Sequence, residues 1–393
     1  MNTRTLAGLI ALTVLVIVAL LLIPEEHEGP VPQSGQPVFP ELLARINDVA
    51  ELIVKSKDGQ VTIVRGEDAW HVKEKEGYEA AMEKVKQAII GVAELKYFEP
   101  KTTNPERYEK LGLLDPDAEN STSKQLILKD AEGKVMANLI IGNQRPARGN
   151  PRVSEIYIRK PDDPQAWLAM GSLPVETLAA EWLDQEPWAI ETDRIRRVTV
   201  RHADGETVTI EKSAPEDSEF VLVRLPKGAK VRSAFTLDHM ASTLGKMRIE
   251  DVARDSEIDF TKPDVLATLE TFDGLRLTVR AVERDKKHFI KAAVEFDPAL
   301  VYEVDQPADP KEAEASPNGA DTEGSEATEA DDDRESSQKA EKKDAPRKLK
   351  TPDEVEREVA RLQKKLNGWV FEVSKFRIEN FAKRMKDLIE HSS

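Results

Sequence analysis

The sequence has 393 residues, a formal net charge of −16 and no cysteine. The missing cysteine excludes disulfides, thiolate metal sites, cysteine nucleophiles and lipid attachment at an N-terminal cysteine. The negative charge argues against a nucleic-acid partner, which needs a basic face. Apolar residues make up 39%, enough for real cores in two or three domains.

The first element in chain order is LAGLIALTVLVIVALLLI, Leu6 to Ile23, without a single charge. As a helix it would span about 27 Å at ~1.5 Å per residue, close to the thickness of a hydrocarbon core. Arg4 precedes it, and Glu25, Glu26 and Glu28 follow. That asymmetry puts the N-terminus inside and the rest of the chain outside the cytoplasmic (inner) membrane. The rival is a cleaved signal peptide, but the stretch is long for one and LLLIPEEHEG has no A-x-A-like site. Residues 1–23 are therefore expected to be a single-pass anchor that contacts lipid through residues 6–23. The proline-bearing residues 24–45 read as a spacer.

Beyond the spacer the chain reads as the same unit twice, over 46–190 and from 191 onward. VAELIVKSKDGQVTIVRG (Val49–Gly66) and IRRVTVRHADGETVTIEK (Ile195–Lys212) are each strand, Asp-Gly turn, strand. Strands at AWHV (Ala69–Val72) and EFVLVRL (Glu219–Leu225) follow. Next come helices with the stripes Met82, Val85, Ile89, Val92 and Leu237, Met240, Leu244, Met247. ELKYFEP and KMRIEDVA come next, and QLILKDAEGKVMANLIIG (Gln125–Gly142) and ATLETFDGLRLTVRA (Ala267–Ala281) read as paired hairpins. EIYIRKPDDP (Glu155–Pro164) is matched to LVYEVDQPADP (Leu300–Pro310). QAWLAMGSLPVETLAAEWL (Gln165–Leu183) is matched to NGWVFEVSKFRIENFAKRM (Asn367–Met385), whose buried stripe is expected at Ile378, Phe381, Met385 and Leu388.

The second unit is interrupted. Asp305 to Pro346 carries a net charge of −9 and no Ile, Leu, Val, Met or aromatic residue. It cannot bury enough surface to offset ordering entropy, so residues 305–350 are expected to form a disordered acidic insertion between 191–304 and 351–393. Thr351-Pro352-Asp353-Glu354 then has the form of a capping box with proline at the first helical position. Val355, Val359, Leu362 and Leu366 continue the helix. The fold class expected is α+β: an N-terminal transmembrane helix and two tandem, mostly antiparallel sheet-plus-helix units.

Few residues point to chemistry. The six histidines show no H-x-x-H, H-E-x-x-H or H-x-H spacing, and no G-x-S-x-G, Walker A or G-x-G-x-x-G motif occurs. Neither a metal nor a cofactor is expected, and Asp331, Asp332 and Asp333 read as solvated. The candidate ligand contacts are Arg145, Arg148 and Arg152, on the Gly/Pro-containing GNQRPARGNPR stretch. Arginines on such a loop can hold a phosphate or carboxylate; the competing reading is a long hairpin connection. Tyr108, Leu111 and Leu113 of NPERYEKLGLLDP are expected to close the first core, and all five tryptophans to be core.

Taken together, the N-terminal anchor, VFPELLARINDVAELIV, GEDAWHV, ELKYFEPKTTNPERYEKLGLLDP and IRRVTVRHADG resemble the bacterial domain-of-unknown-function family 4340. The resemblance spans nearly the whole chain beyond the anchor except the acidic insertion. It implies a membrane-anchored envelope protein, since some members resemble auxiliary components of gliding-motility-type ABC transport systems. It carries over no catalytic residue. The expectation is thus a non-enzymatic accessory or scaffold with a membrane-protein partner, an ABC permease being the class implied. The alternatives are a binding module for cell-wall polymer or another anionic ligand, and a tethered hydrolase.

Overall fold

The computed structural model describes residues 34–147, 150–302 and 349–391. The anchor, the first part of the spacer and nearly all of the acidic insertion lie outside the described residues. Among the described residues no helix is long and apolar enough to cross a membrane. The fold is mostly antiparallel sheet with helices, and the chain divides into two compact units between Trp182 and Leu183.

The first unit is one nine-stranded sheet. Its strands are β1 (Val49–Ser56), β2 (Gly59–Arg65), β3 (Trp70–Val72), β4 (Tyr78–Glu79), β5 (Lys96–Thr102), β6 (Lys124–Asp130), β7 (Val135–Ala147), β8 (Asn150–Arg159) and β9 (Ala166–Gly171). They lie in the order β4-β3-β2-β1-β6-β7-β8-β9-β5. Helix α1 (Met82–Glu94) connects β4 to β5, and the single turn α2 (Tyr108–Leu111) precedes β6.

The second unit holds β10 (Ile195–His202), β11 (Thr207–Glu211), β12 (Val221–Leu222), β13 (Ala229–Val231), β14 (Asp251–Arg254), β15 (Val265–Thr271), β16 (Leu275–Arg284), β17 (Lys287–Phe296), β18 (Trp369–Val373) and β19 (Ile389–His391). Its helices are α3 (Ala234–Gly245), α4 (Pro352–Leu366), α5 (Lys375–Phe381) and α6 (Met385–Leu388). The main sheet runs β12-β11-β10-β15-β16-β17-β18-β14, and β13 pairs with β19 apart from it. Read strand by strand, this is the order of the first unit without its edge strand β4. The irregularities also coincide: β1 slips against β6 between Val49 and Glu51, and β10 slips against β15 between Ile195 and Arg197. A bulge is a specific one-residue insertion, so its recurrence at one register position is more informative than another hairpin.

Alternation explains the second sheet. Leu269 faces Leu277 and Leu277 faces Val294; Ala267 faces Val279 and Val279 faces Ala292. All six are buried, and burying each larger aliphatic side chain is worth about 1.5–3 kcal/mol. The opposite face carries the ion pairs Arg197–Glu270, Arg276–Glu270 and Arg276–Glu295, so that face is polar by sequence. The equivalent of Arg197–Glu270 in the first unit has reversed sign: Glu51 takes Lys129, at 2.9 Å. Its hydrogen bond from Lys129 holds the Glu51 carboxyl below the ordinary carboxylate value.

Both amphipathic helices form where expected, and of the eight expected stripe residues only Met82 is not buried. Val85, Ala88, Ile89 and Val92 are buried on α1, and Leu237, Met240, Ala241 and Leu244 on α3. These sets have identical spacing, whereas Met82 is 38% exposed. The match of EIYIRKPDDP to residues 300–310 is also displaced. The strand equivalent to β8 is β17, and Leu300 ends a 3₁₀ turn, Pro298–Leu300. The expected spacer ends earlier than residue 45. Pro37 bridges Lys96, Val38 donates to the Leu95 carbonyl at 2.8 Å, and Val38 and Leu42 are buried.

Helix α4 begins on the expected capping box: the Thr351 amide donates to Glu354 Oε2 at 2.8 Å, with Pro352 in the first turn. Its four expected stripe residues are buried, and Gln363 Nε2 donates to the Val294 carbonyl of β17 at 2.9 Å. The C-terminal helix, by contrast, breaks. Phe381 and Leu388 are buried, but Ile378 and Met385 only partly so, because the chain leaves helical geometry between α5 and α6.

At that break Arg384 pairs with Asp204 and Glu206 of the β10–β11 turn, and the Met385 amide donates to Glu206 at 2.9 Å. Burial alone would raise the Glu206 pKa, but the Met385 amide and Arg384 outweigh it and hold it below the ordinary 4.5. A depressed carboxylate contributes stability above its unfolded pKa and loses it as pH falls through the folded value. Glu206→Gln should therefore be less stable than the parent at pH 7, and the gap should close as pH drops below 4.5. Urea titrations at several pH values read this directly; a gap independent of pH would refute the ionic clamp.

The segment NPERYEKLGLLDP seats on the first sheet through Tyr108 and Leu113, which cluster with Ile140 and Ala166. The Tyr108 hydroxyl donates to the Pro164 carbonyl, and the Arg159 guanidinium stands 4.8 Å from its ring centre. Gly142 of β7 permits this approach: a Cβ there would lie 2.3 Å from the Leu111 carbonyl oxygen. Gly142→Ala should cost about 1–3 kcal/mol by overpacking, measurable as a lowered urea midpoint with unchanged slope.

Candidate functional site

The expected arginine loop is a hairpin. Strand β7 continues to Ala147 and β8 starts at Asn150, because bulges between Ile141 and Gln144 and between Pro146 and Ala147 absorb the irregular residues. Arg145 therefore sits on a strand opposite Glu155, and its Nε donates to Glu155 Oε2 at 2.7 Å. That hydrogen bond holds the guanidinium pKa above its ordinary value. Arg148 lies outside the described residues, as does the Arg152 side chain, although Arg152 belongs to β8. Of the three arginines only the Arg145 side chain is described, and it pairs with Glu155.

All five tryptophans are buried, as expected for core. Among the described residues no cluster of His, Asp and Glu could hold a metal ion. Each unit carries a cavity that no sequence motif marks.

The cavity of the first unit is a cleft of about 460 Å³ between α1, the β2–β3 connection and the 3₁₀ turn Leu43–Asp48. Its apolar wall comprises Ile46, Trp70, Met82, Ile89 and Ile90. Met82 and Ile90 remain partly exposed because the inward stripe of α1 is satisfied by Val85, Ala88, Ile89 and Val92. The rim is charged. Arg65 covers the Trp70 ring at 5.1 Å and donates to the Asn47 carbonyl at 2.7 Å, with Glu67, Asp68 and Lys86 beside it. An apolar floor with a charged rim suits a hydrophobic side chain entering from a partner.

The cavity of the second unit, about 580 Å³, is polar. The segment before β10 supplies Glu186, Glu191 and Thr192; α3 and its exit supply His239, Ser242, Lys246 and Arg248; α5 supplies Arg377. Lys246 pairs with Glu186 at 3.3 Å, and Glu191 pairs with Arg194 at 3.1 Å. Thr243 Oγ1 lies 3.2 Å from His239 Nδ1.

A smaller recess of the first unit holds Lys160, whose amino group lies 5.0 Å from the Phe39 ring centre. Burial holds this amine below its ordinary pKa and pushes the neighbouring Tyr97 hydroxyl up to about 12. The arrangement is a cation resting on an aromatic floor.

No curated protein and no solved structure matches this chain. A family model, the domain of unknown function DUF4340, matches residues 70–267. The match begins at Trp70 in the wall of the apolar cleft and includes α1, the seated NPERYEKLGLLDP segment, α3 and Arg248 of the polar cavity. With half of its residues under that model, the chain belongs to the DUF4340 family.

Proposed function

We propose that this protein is a single-pass, membrane-anchored envelope protein that works as a non-enzymatic scaffold for a membrane-protein partner. The anchor is the uncharged stretch Leu6–Ile23, with its basic residue before and acidic residues after. The folded part is two copies of one duplicated unit, supported by the shared strand order and the bulge at a common register position. Tethering confines both units near the bilayer and raises their effective concentration for a neighbouring membrane protein.

The observation that carries the docking role is the apolar cleft beside α1. Met82 and Ile90 contribute nothing to the inward stripe of that helix, yet both are large, apolar and partly exposed at one opening. A partner side chain seated on Trp70 and Ile89 would bury them. The anchor is tested by alkaline carbonate extraction and by protease added to intact spheroplasts. The chain should stay with the membranes and be digested from outside. Release into the soluble fraction, or full protection from external protease, would remove this reading.

A further inference from the structure

The polar cavity of the second unit carries an inference beyond docking, and it rests on charge compensation. Three cations line it, Lys246, Arg248 and Arg377. Lys246 is compensated by Glu186, and the other lining acid, Glu191, shares Arg194 with the buried carboxylates of Asp273 and Glu358. Arg248 instead donates to the neutral amide of Gln185, at 3.0 Å. Among the described residues the Arg377 side chain has no hydrogen-bonding or ionic partner; only its backbone amide is engaged, by the Ser374 carbonyl. Two guanidinium groups thus open on one cavity, neither in an ion pair among the described residues. Each presents a planar fork suited to an oxyanion. The cavity volume lies within the range of small-ligand sites.

A second feature marks the same place. Phe235 on α3 is 74% exposed and Phe376 on α5 is 65% exposed. The Phe235 ring lies 6.0 Å from that of His239, which lines the cavity, and Phe376 immediately precedes Arg377. Large apolar groups left in water beside uncompensated cations suit a ligand that is anionic at one end and apolar beyond it.

We propose that this cavity is a phosphate-binding site, with Arg248 and Arg377 gripping the phosphate and Phe235 and Phe376 flanking what is attached to it. The phosphate can belong to a lipid headgroup or arrive as a free, soluble ester. Arg145, on the other unit, takes no part.

The test uses the full chain in mild detergent. Inorganic phosphate is titrated by calorimetry, and phosphatidylglycerol and phosphatidylcholine are then titrated in micelles of the same detergent, so that the stretch Leu6–Ile23 is solvated in every arm. Saturable phosphate binding should weaken about tenfold or more in Arg248→Ala/Arg377→Ala and stay unchanged in Arg145→Ala. Binding that prefers phosphatidylglycerol over phosphatidylcholine and is lost in Phe235→Ser/Phe376→Ser identifies the headgroup source. Phosphate binding without that preference identifies a soluble ester. Absence of saturable phosphate binding, or binding equal in the double arginine variant, overturns the proposal. All four substituted side chains are solvent-accessible, and circular dichroism of each variant confirms that the fold is kept.

Discussion

Arg194→Ala is expected to lower the stability of the second unit by about 3–5 kcal/mol, the usual cost of stranding a buried ion-pair partner. Arg194 is only 6% exposed, and so is Glu358, while Asp273 is 1% exposed. The guanidinium forks onto both carboxylates. Its Nε reaches Asp273 Oδ2 at 2.7 Å, and its Nη2 reaches Glu358 Oε2 at 2.8 Å. Burial by itself would depress the Arg194 pKa, but the hydrogen bonds to Glu358 and Asp273 outweigh it and hold the charge more firmly than usual. Lys350 adds its amino group to Glu358 at 2.9 Å and its backbone amide to Asp273 at 3.3 Å.

These contacts join the entry to β10, the β15–β16 turn and the start of α4, three segments far apart in sequence. Removing the arginine leaves two buried carboxylates with too few donors, so α4 should detach first. Protease cleavage within residues 352–366 should therefore accelerate together with the loss of urea resistance. Replacing all three charges at once, Arg194→Met with Asp273→Asn and Glu358→Gln, should recover much of the loss, because the charges left without partners, Lys350 and Glu191, are solvent-accessible rather than buried. If the triple variant is as unstable as the single one, packing rather than charge governs the site.

Trp188→Ala should cost a similar amount, about 3–5 kcal/mol, for a different reason. Trp188 is almost wholly buried, with its ring edge-on to Phe371 at a centroid distance of 6.3 Å. Its Nε1 donates to the Leu244 carbonyl at 2.8 Å, in the last turn of α3. Truncation loses apolar burial, opens a cavity and frees a carbonyl that has lost its donor. Trp188→Phe keeps most of the volume and loses only the hydrogen bond, so its cost should be about 1 kcal/mol. Chemical denaturation of the three proteins separates the contributions; a phenylalanine variant as damaged as the alanine one would mean the hydrogen bond dominates.

The legible parts of the fold are those that local chemistry decides. The capping box at Thr351, the four-residue stripe of α4 and the alternating strands β15 and β16 depend on neighbours in sequence, and each stands where the pattern puts it. Strand β17 is hard to read from the sequence because KHFIKAAVEF places Lys287, His288, Lys291 and Glu295 among its apolar residues. Its alternation reads clearly only once Leu277 and Val279 are known to lie opposite. The break between α5 and α6 is likewise tertiary: Arg384 is held by Asp204 and Glu206 from a distant turn. Met82 fits a helical stripe by spacing, yet it stands in the wall of the cleft, 38% exposed.

The site was less legible than the fold. Glycine, proline and arginine together make GNQRPARGNPR read as a loop, but bulges let β7 run on to Ala147 and β8 begin at Asn150. The polar cavity gathers Glu191, His239, Arg248 and Arg377 from three segments, and no spacing rule links them. The apolar cleft depends on which face of α1 the sheet leaves uncovered, which periodicity alone does not decide.

The central claim is that the cleft beside α1 docks a membrane protein, and co-purification tests it most directly. Tagged full-length protein is crosslinked in its native membranes, solubilised in mild detergent and compared with Ile90→Asp, which places a charge at the cleft opening without touching the inward stripe of α1. The account predicts a defined membrane-protein partner that accompanies the parent chain and is lost from the variant. A parent chain that emerges alone from well-solubilised membranes, or a partner retained equally by Ile90→Asp, would contradict it.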